Sequence, residues 1–322
     1  MDKSISLLRE HVQNEALFRD SVTLSQYSTL QAGGRASWVV EVSNLDLFAK
    51  VAAWCQETGV PHLVLGSGSN ILVSDRGYRG LVIVNKCSGI SHQRQVHAEC
   101  GCWFQDLFLF AAQRCLAGLE FAVGIPGTLG GALVSNAGAY RSNISDLLVS
   151  VEIVESGERR WVAPDYLQFS YRNSILRSSS PPRIVLLSVL LELQRGDSKA
   201  IYDRAREFQR QRISKQPPHA SAGSFFKNVY DATVAQSLDG LPENLKDAGL
   251  IPAGYLIEAC GLKRSRVGNA VISERHANFI CNLGGASASD IRRLAETVKD
   301  AVKDKFGVVL EEEVLYVGDW AN

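Results

Sequence analysis

An α+β fold, with a two-lobed N-terminal domain over 1–196 and a smaller α+β domain over 197–322, follows from three features of the chain. Helical and strand periodicities alternate from residue 38 onward. Two glycine-rich segments, at 65–70 and 124–140, punctuate that alternation. A charged helical stretch over 198–215 ends at Gln216-Pro217-Pro218, where the chain must leave helical geometry and a domain boundary is expected.

The opening MDKSISLLREHVQNEALF scatters charges through an amphipathic pattern and lacks the apolar run of a signal peptide, so it is expected to stay in the mature protein. A strand over 38–42 precedes a helix over 44–58, in which Leu45, Leu47, Phe48, Val51, Ala52 and Cys55 recur at helical spacing. Strands at 62–66, 71–74 and 81–85 complete a first lobe, about 20–86. The second lobe, 87–196, starts with a strand near Val96 and a helix over 103–116. After the glycine-rich segment come strands at 147–155 and 160–163, joined at Ser156-Gly157, and a buried strand at 184–193. That apolar run is about half the roughly 20 residues that cross a bilayer. Beyond the boundary the pattern predicts a strand pair within 270–282, a helix capped at Ser287 or Ser289 and running to Phe306, and a last strand over 308–317.

Composition narrows the function. Apolar residues make up 46% of 322 and charged residues 21%, as in a globular protein with a large core. Lys plus Arg equals Asp plus Glu at 34 each, so no global field favours nucleic acid or an anionic membrane. Seven cysteines, with no CxxC pair, fit free thiols in a reducing compartment, and the cytoplasm is expected. Cys100-Gly101-Cys102 reads as two small residues at a strand end. The six histidines show no HExxH pattern, and no metal site is expected.

The segment Leu65-Gly66-Ser67-Gly68-Ser69-Asn70 lies between two apolar runs. Its glycines accept positive φ, so successive N–H groups can converge on an anion, and Ser67, Ser69 and Asn70 add side-chain donors. Strands flank it, so it is neither a P-loop nor a GxGxxG turn. Taken alone, a tight Gly/Ser hairpin explains it better. The second segment, GIPGTLGGALVSNAGAY, carries five glycines among apolar residues, with Thr128, Ser135 and Asn136 as hydrogen-bonding groups. Two such stretches in one chain point to a dinucleotide cofactor, against the simpler reading of a packed glycine corner.

Three polar clusters stand out. Arg172, in Tyr171-Arg172-Asn173-Ser174, is by itself better explained as a structural ion-pair partner than as a catalytic group. Ser224, between small residues and two phenylalanines, is either a turn serine or a hydroxyl presented to an apolar pocket. Glu311-Glu312-Glu313 is either a solvated face or, on an alternating strand, a set with Glu312 opposite to Glu311 and Glu313.

These motifs resemble, in order and over nearly the whole chain, those of the UDP-N-acetylenolpyruvoylglucosamine reductases, a family with the flavin-binding (PCMH-type) domain of the vanillyl-alcohol-oxidase flavoproteins. The matching pieces are Ser28-Thr29-Leu30 with Gly33-Gly34, LGSGSN, GIPGTLGGA with NAGAY, YRNS at 171–174, SAGSFFKN at 221–228, AGYLIEACGLK, and 310–314. The resemblance implies non-covalent FAD, held by Leu65, Gly66, Ser67, Gly68, Ser69 and Asn70 and by Gly124, Pro126, Gly127, Thr128, Gly130, Gly131, Asn136, Ala137 and Gly138. It implies NADPH as hydride donor and UDP-N-acetylglucosamine enolpyruvate as substrate, held by Tyr171, Lys227, Asn228 and Lys263. It also implies catalysis by Arg172 and Glu313, stabilising charge next to the carboxylate, and by Ser224, donating the proton to C2. A bacterial, monomeric cytoplasmic enzyme of peptidoglycan precursor synthesis is the expectation, with the last strand returning to the active site. Arg264 and Asn269 stand where the family usually has small residues, Leu315 where it often has a basic one, and Ser28 where it commonly has Asn.

Overall fold

The computed structural model of the chain describes residues 2–12 and 15–320; residues 1, 13 and 14 of the amphipathic N-terminal stretch lie outside them. The chain forms two compact units. The first comprises 1–22, 36–68 and 79–214, and the second 23–35, 69–78 and 215–322.

In the first unit, helix α1 (Asp2–Val12), strand β1 (Leu17–Thr23), strand β2 (Arg35–Val42) and helix α2 (Leu45–Thr58) follow in sequence. The side chain of Asn44 caps α2 by accepting from Leu47 N–H at 2.9 Å, and Gly59 ends the helix at φ 68°. Strand β3 (His62–Leu65) pairs in parallel with the strand Tyr78–Asn85, giving a four-stranded sheet in which β1, β2, Tyr78–Asn85 and β3 lie in that order. Val40, Val42, Phe48, Val51, Ala52, Leu81 and Ile83 are fully buried between this sheet and its helices.

An antiparallel five-stranded sheet forms the rest of this unit, in the order Glu158–Val162, Leu148–Glu155, Ile184–Leu191, Val96–Glu99 and Ile90–His92. Ser156 (φ 53°) and Gly157 (φ 83°) make the turn expected between the first two. Helix α3 (Phe104–Ala112), helix α4 (Leu129–Val134) and helix α5 (Ser198–Lys215) accompany this sheet, and its core holds Phe104, Leu107, Phe121, Leu133, Ile153, Val189, Ile201 and Ala205.

The second unit has an antiparallel sheet in the order Ala220–Ser221, Ile280–Asn282, Ala270–Ile272 and Arg266–Val267. The helix Ala288–Phe306 buries Ile291, Leu294, Ala295, Val298 and Val302 in the core of this unit, and a Ser287/Asp290 capping box starts it. The Asp75 carboxylate accepts from Ala288 N–H (2.8 Å), Ser289 N–H (2.9 Å) and the Ser289 hydroxyl (2.6 Å), a charge placed at the positive end of the helix. The strand Leu315–Val317 pairs in parallel with Ile71–Val73.

Several expectations are corrected. The 71–74 strand leaves the first lobe, because its edge is completed by Leu315–Val317. The 103–116 helix stops at Ala112, and Cys115, at φ 57°, turns the chain so that Leu116–Ala117 pairs with Gln194–Arg195. The glycine-rich segment is partly helical, as α4. The 308–317 strand shrinks to 315–317, preceded by an isolated bridge between Glu312 and Phe226. The first unit runs to Ser214, with Ile201 and Ala205 of α5 in its core. Among the described residues no helix is long and apolar enough to cross a membrane.

Candidate active site

The two glycine segments meet in the first unit. A Cβ on Gly66 would stand 2.1 Å from Thr128 Oγ1, so only glycine admits this approach. Gly68 is buried and sits at φ 63°, and the N–H groups of Ser67 and Gly68 donate to no described group. A tight loop with uncommitted N–H groups fits a pyrophosphate. The second segment spends more of its donors internally: Leu129 N–H goes to Cys102 O (2.9 Å), Gly130 N–H to Cys100 O (2.7 Å), and Gly131 N–H to Thr128 Oγ1 (3.5 Å). Gly130 and Gly131 thus give close packing rather than free donors. Gly124 (φ 72°) and Gly127 (φ 141°) supply the turns on either side of Pro126.

Asn136, expected as a cofactor residue, uses its side chain to organise the next cluster. Its amide donates to Ser170 O at 3.0 Å and accepts from Ser145 N–H at 3.3 Å. Ser170 and Asn173 exchange backbone hydrogen bonds of 3.1 and 3.2 Å across Tyr171-Arg172, which places Arg172 at φ 51°. A non-glycine residue in that region carries strain of about 1–2 kcal/mol, which the surrounding bonds must offset. The Arg172 guanidinium donates to Gly138 O and lies 5.3 Å from the Tyr171 ring. Ala137 N–H donates to Ala132 O at 2.7 Å, and Ser174 Oγ to Val134 O at 2.7 Å, so the 134–138 stretch and the arginine turn are tied together.

Ser224 and Glu313 belong to the second unit, on neighbouring segments. Glu313 N–H donates to Phe225 O and Lys227 N–H to Glu311 O, both at 2.8 Å, around the Phe226–Glu312 bridge. Asn278 holds the serine segment from the other side. Its carbonyl oxygens accept from Phe225 N–H (2.7 Å, backbone) and Phe226 N–H (2.9 Å, side chain), and its amide donates to Phe226 O at 2.8 Å. The half-buried Ser224 hydroxyl makes no hydrogen bond with any described residue. The glutamate run separates without a regular strand. The side chain of Glu311 is 71% exposed, whereas that of Glu312, 17% exposed, meets Lys299 at 3.0 Å.

Asn70 lies in this second unit too. Its side-chain amide donates to Glu313 O at 3.0 Å, and its own carbonyl accepts from Leu315 N–H at 3.0 Å. Lys227, only 8% exposed, pairs with Glu311, and Lys263 pairs with Glu258 at 2.6 Å. Asn228 Oδ1 accepts from Ala253 N–H at 3.2 Å, at the start of the helix Ala253–Ala259, and Tyr171 is 40% exposed. The unusual residues have structural duties: Arg264 (φ 69°) pairs with Glu274, Asn269 donates to Gly284 O at 3.0 Å, and Ser28 Oγ accepts from Leu30 N–H at 3.2 Å. Sequence reasoning missed Asn278, Asp75 and the clamp made by Asn70. None has a local signal, because each reaches across 52 to 243 residues to its partner.

The chain is a flavin-dependent oxidoreductase: residues 36–162 match the family described as "FAD binding domain". Residues 215–317 match the family "UDP-N-acetylenolpyruvoylglucosamine reductase, C-terminal domain". Proteins named UDP-N-acetylenolpyruvoylglucosamine reductase from Synechococcus sp. and from Bacillus subtilis are 40% and 34% identical to the chain. The first match covers 93% of this chain and 91% of the relative, and the second covers 99% of each. The crystal structure of UDP-N-acetylenolpyruvylglucosamine reductase (MurB) from Thermus caldophilus superposes with a TM-score of 0.75 at 33% identity, covering 93% of this chain and 99% of that one. The chain belongs to the UDP-N-acetylenolpyruvoylglucosamine reductase family.

Proposed function

We propose that this protein reduces the enolpyruvyl ether of UDP-N-acetylglucosamine enolpyruvate to UDP-N-acetylmuramate, in peptidoglycan precursor synthesis, with NADPH as reductant. The chemistry that a bound FAD would supply is hydride relay from NADPH to C3 of the enolpyruvyl group. The 66–70 loop would hold its pyrophosphate, with Gly124, Gly127 and Thr128 forming the neighbouring wall. Burial pushes the Cys102 thiol up to about 12, which supports a flavin held without a covalent bond. The reading takes the protein as a monomer acting in the bacterial cytoplasm, and the even charge balance leaves no global field that would draw it to nucleic acid or an anionic membrane.

Negative charge develops at C2 and the adjoining carboxylate as hydride reaches C3. Arg172, whose position is fixed by its turn and by Gly138, supplies a preorganised cation for that charge. Glu313 in its protonated form donates a hydrogen bond to the same oxygens. Ser224 gives its proton to C2; although a hydroxyl is a weak acid, the enolate is strongly basic and the distance is short once substrate is seated. Lys227, Asn228, Lys263 and Tyr171 border the nucleotide and sugar.

The observation that carries this reading is the pairing of the Ser224 and Glu313 segments around a hydroxyl with no internal partner. Stopped-flow measurement of Ser224→Ala tests it. FAD content and flavin reduction by NADPH should stay near wild type, while reoxidation by the enolpyruvyl substrate falls about 10²- to 10⁴-fold. Reoxidation at the wild-type rate would rule out Ser224 as the proton donor.

A further inference from the structure

Helix α5 is a charged helix with only Ile201 and Ala205 buried along it, yet Arg212 near its end turns inward. Its Cδ is 3.0 Å from the point where a Cβ on Gly124 would stand, so the glycine admits the side chain. Its guanidinium lies 5.8 Å from the ring of Tyr140, which is itself stacked on Phe208 at 3.7 Å and donates to Phe208 O at 3.1 Å. Among the described residues, the one hydrogen bond of the Arg212 side chain is a long one, 3.4 Å, from Nη2 to Phe121 O. Nε is buried with no partner.

No carboxylate among the described residues pairs with Arg212. The neighbouring charge is instead a second cation: burial lowers the Arg212 pKa, Tyr140 opposes that shift, and Arg172 lowers it further. The two guanidiniums meet the same short segment, Arg172 at Gly138 O and Arg212 at Tyr140. Partly burying an arginine beside another cation costs free energy unless a counter-charge arrives. Of its five N–H donors, one is used, and weakly.

We propose that Arg212 and Arg172 form a two-guanidinium receptor for an oxyanion of the bound reactants, a carboxylate or phosphate group. The inference rests on the proposed reductase reaction and adds a residue to it. A planar fork beside a second cation suits a group of high negative charge better than one lysine would.

Arg212→Met tests the receptor because it keeps the apolar stem and removes the charge. FAD content, NADPH affinity through the rate of flavin reduction, and enolpyruvyl-substrate affinity through reoxidation are measured separately, so the arm that fails identifies which molecule brings the anion. At least one affinity should fall about 10- to 100-fold, the scale of a charge-assisted hydrogen bond in a partly buried site. Arg212→Lys should recover part of it. The thermal midpoint of the ligand-free variant should hold or rise, since an unpaired buried charge has been removed. Inorganic pyrophosphate should raise the midpoint of wild type and not of Arg212→Met. Three unchanged affinities, or a lowered midpoint with every step equally impaired, would overturn the receptor. If instead the wild type is not reoxidised by the enolpyruvyl substrate while pyrophosphate still separates wild type from variant, the reductase reading fails and the receptor stands.

Discussion

At the scale of single residues, backbone conformation separates roles that composition leaves mixed. Gly68 and Arg172 both have positive φ, but one accepts it freely and the other is held there. Gly68→Val would add β-branching at φ 63° and fill the space beside the uncommitted N–H groups of the loop. We expect the variant to purify nearly colourless with a near-normal circular dichroism spectrum. A fully loaded yellow protein would show that this loop does not hold the pyrophosphate. The glycines of the second segment were legible as a group, yet their separate duties were not. A Cβ on Gly130 would meet the Cys100 carbonyl at 3.0 Å and one on Gly124 would meet Arg212, and no local pattern distinguishes these two neighbourhoods.

At the scale of elements, hydrogen bonds from Asn70 and Asn278 place the Ser224 and Glu313 segments, and in the proposed reaction each predicts an effect on chemistry rather than on cofactor retention. Asn70→Ala removes the donor to Glu313 O. FAD content and flavin reduction should be unchanged while reoxidation slows about three- to tenfold, the worth of one net hydrogen bond; loss of flavin with normal reoxidation would instead make Asn70 a cofactor ligand. The 273–279 turn offers a pH test. His276 accepts from Asn278 N–H at 3.2 Å through Nδ1 and packs 4.9 Å from Phe279. Burial, followed by Lys215 and Lys263, holds its pKa below the ordinary 6.5, with Glu258 opposing. The unfolded chain therefore binds the proton more readily, so this contribution to stability is present above about pH 6.5 and is lost as pH falls through the folded value. Urea unfolding of wild type and His276→Gln between pH 5 and 7.5 should show a steeper decline for wild type, and parallel curves would exclude His276. The long helices were legible almost to the residue because caps and periodicity agree: Asn44 and Gly59 bound one, Ser287 and Gly307 another. The 308–317 stretch misled because its alternation of apolar and acidic residues matches a strand. In the structure its first part finds only the single bridge to Phe226.

For the molecule as a whole, the sequence predicts two domains with a border after 196, and it carries no local signal that the second unit takes in 23–35 and 69–78. Borrowing depends on pairings such as Ile71 with Leu315 and Asp75 with Ala288, which tertiary structure alone decides. A fragment of residues 215–322 should therefore lack a cooperative thermal transition, because Leu30, Ala32 and Leu72, all fully or almost fully buried in the core of that unit, would be missing. A sharp transition with native-like near-ultraviolet dichroism would show that the borrowed segments are dispensable. The parallel pairing of Leu315–Val317 with Ile71–Val73 also sets a timetable for the nascent chain. Ribosomes add about 5–20 residues per second, so the apolar Ile71–Val73 strand waits on the order of tens of seconds for a partner made among the last residues. Throughout that interval the polypeptide carries an open strand edge that chaperones must shield, and a ribosome that stalls before Leu315 would leave a chain whose 65–70 loop is complete and whose Glu313 is untethered.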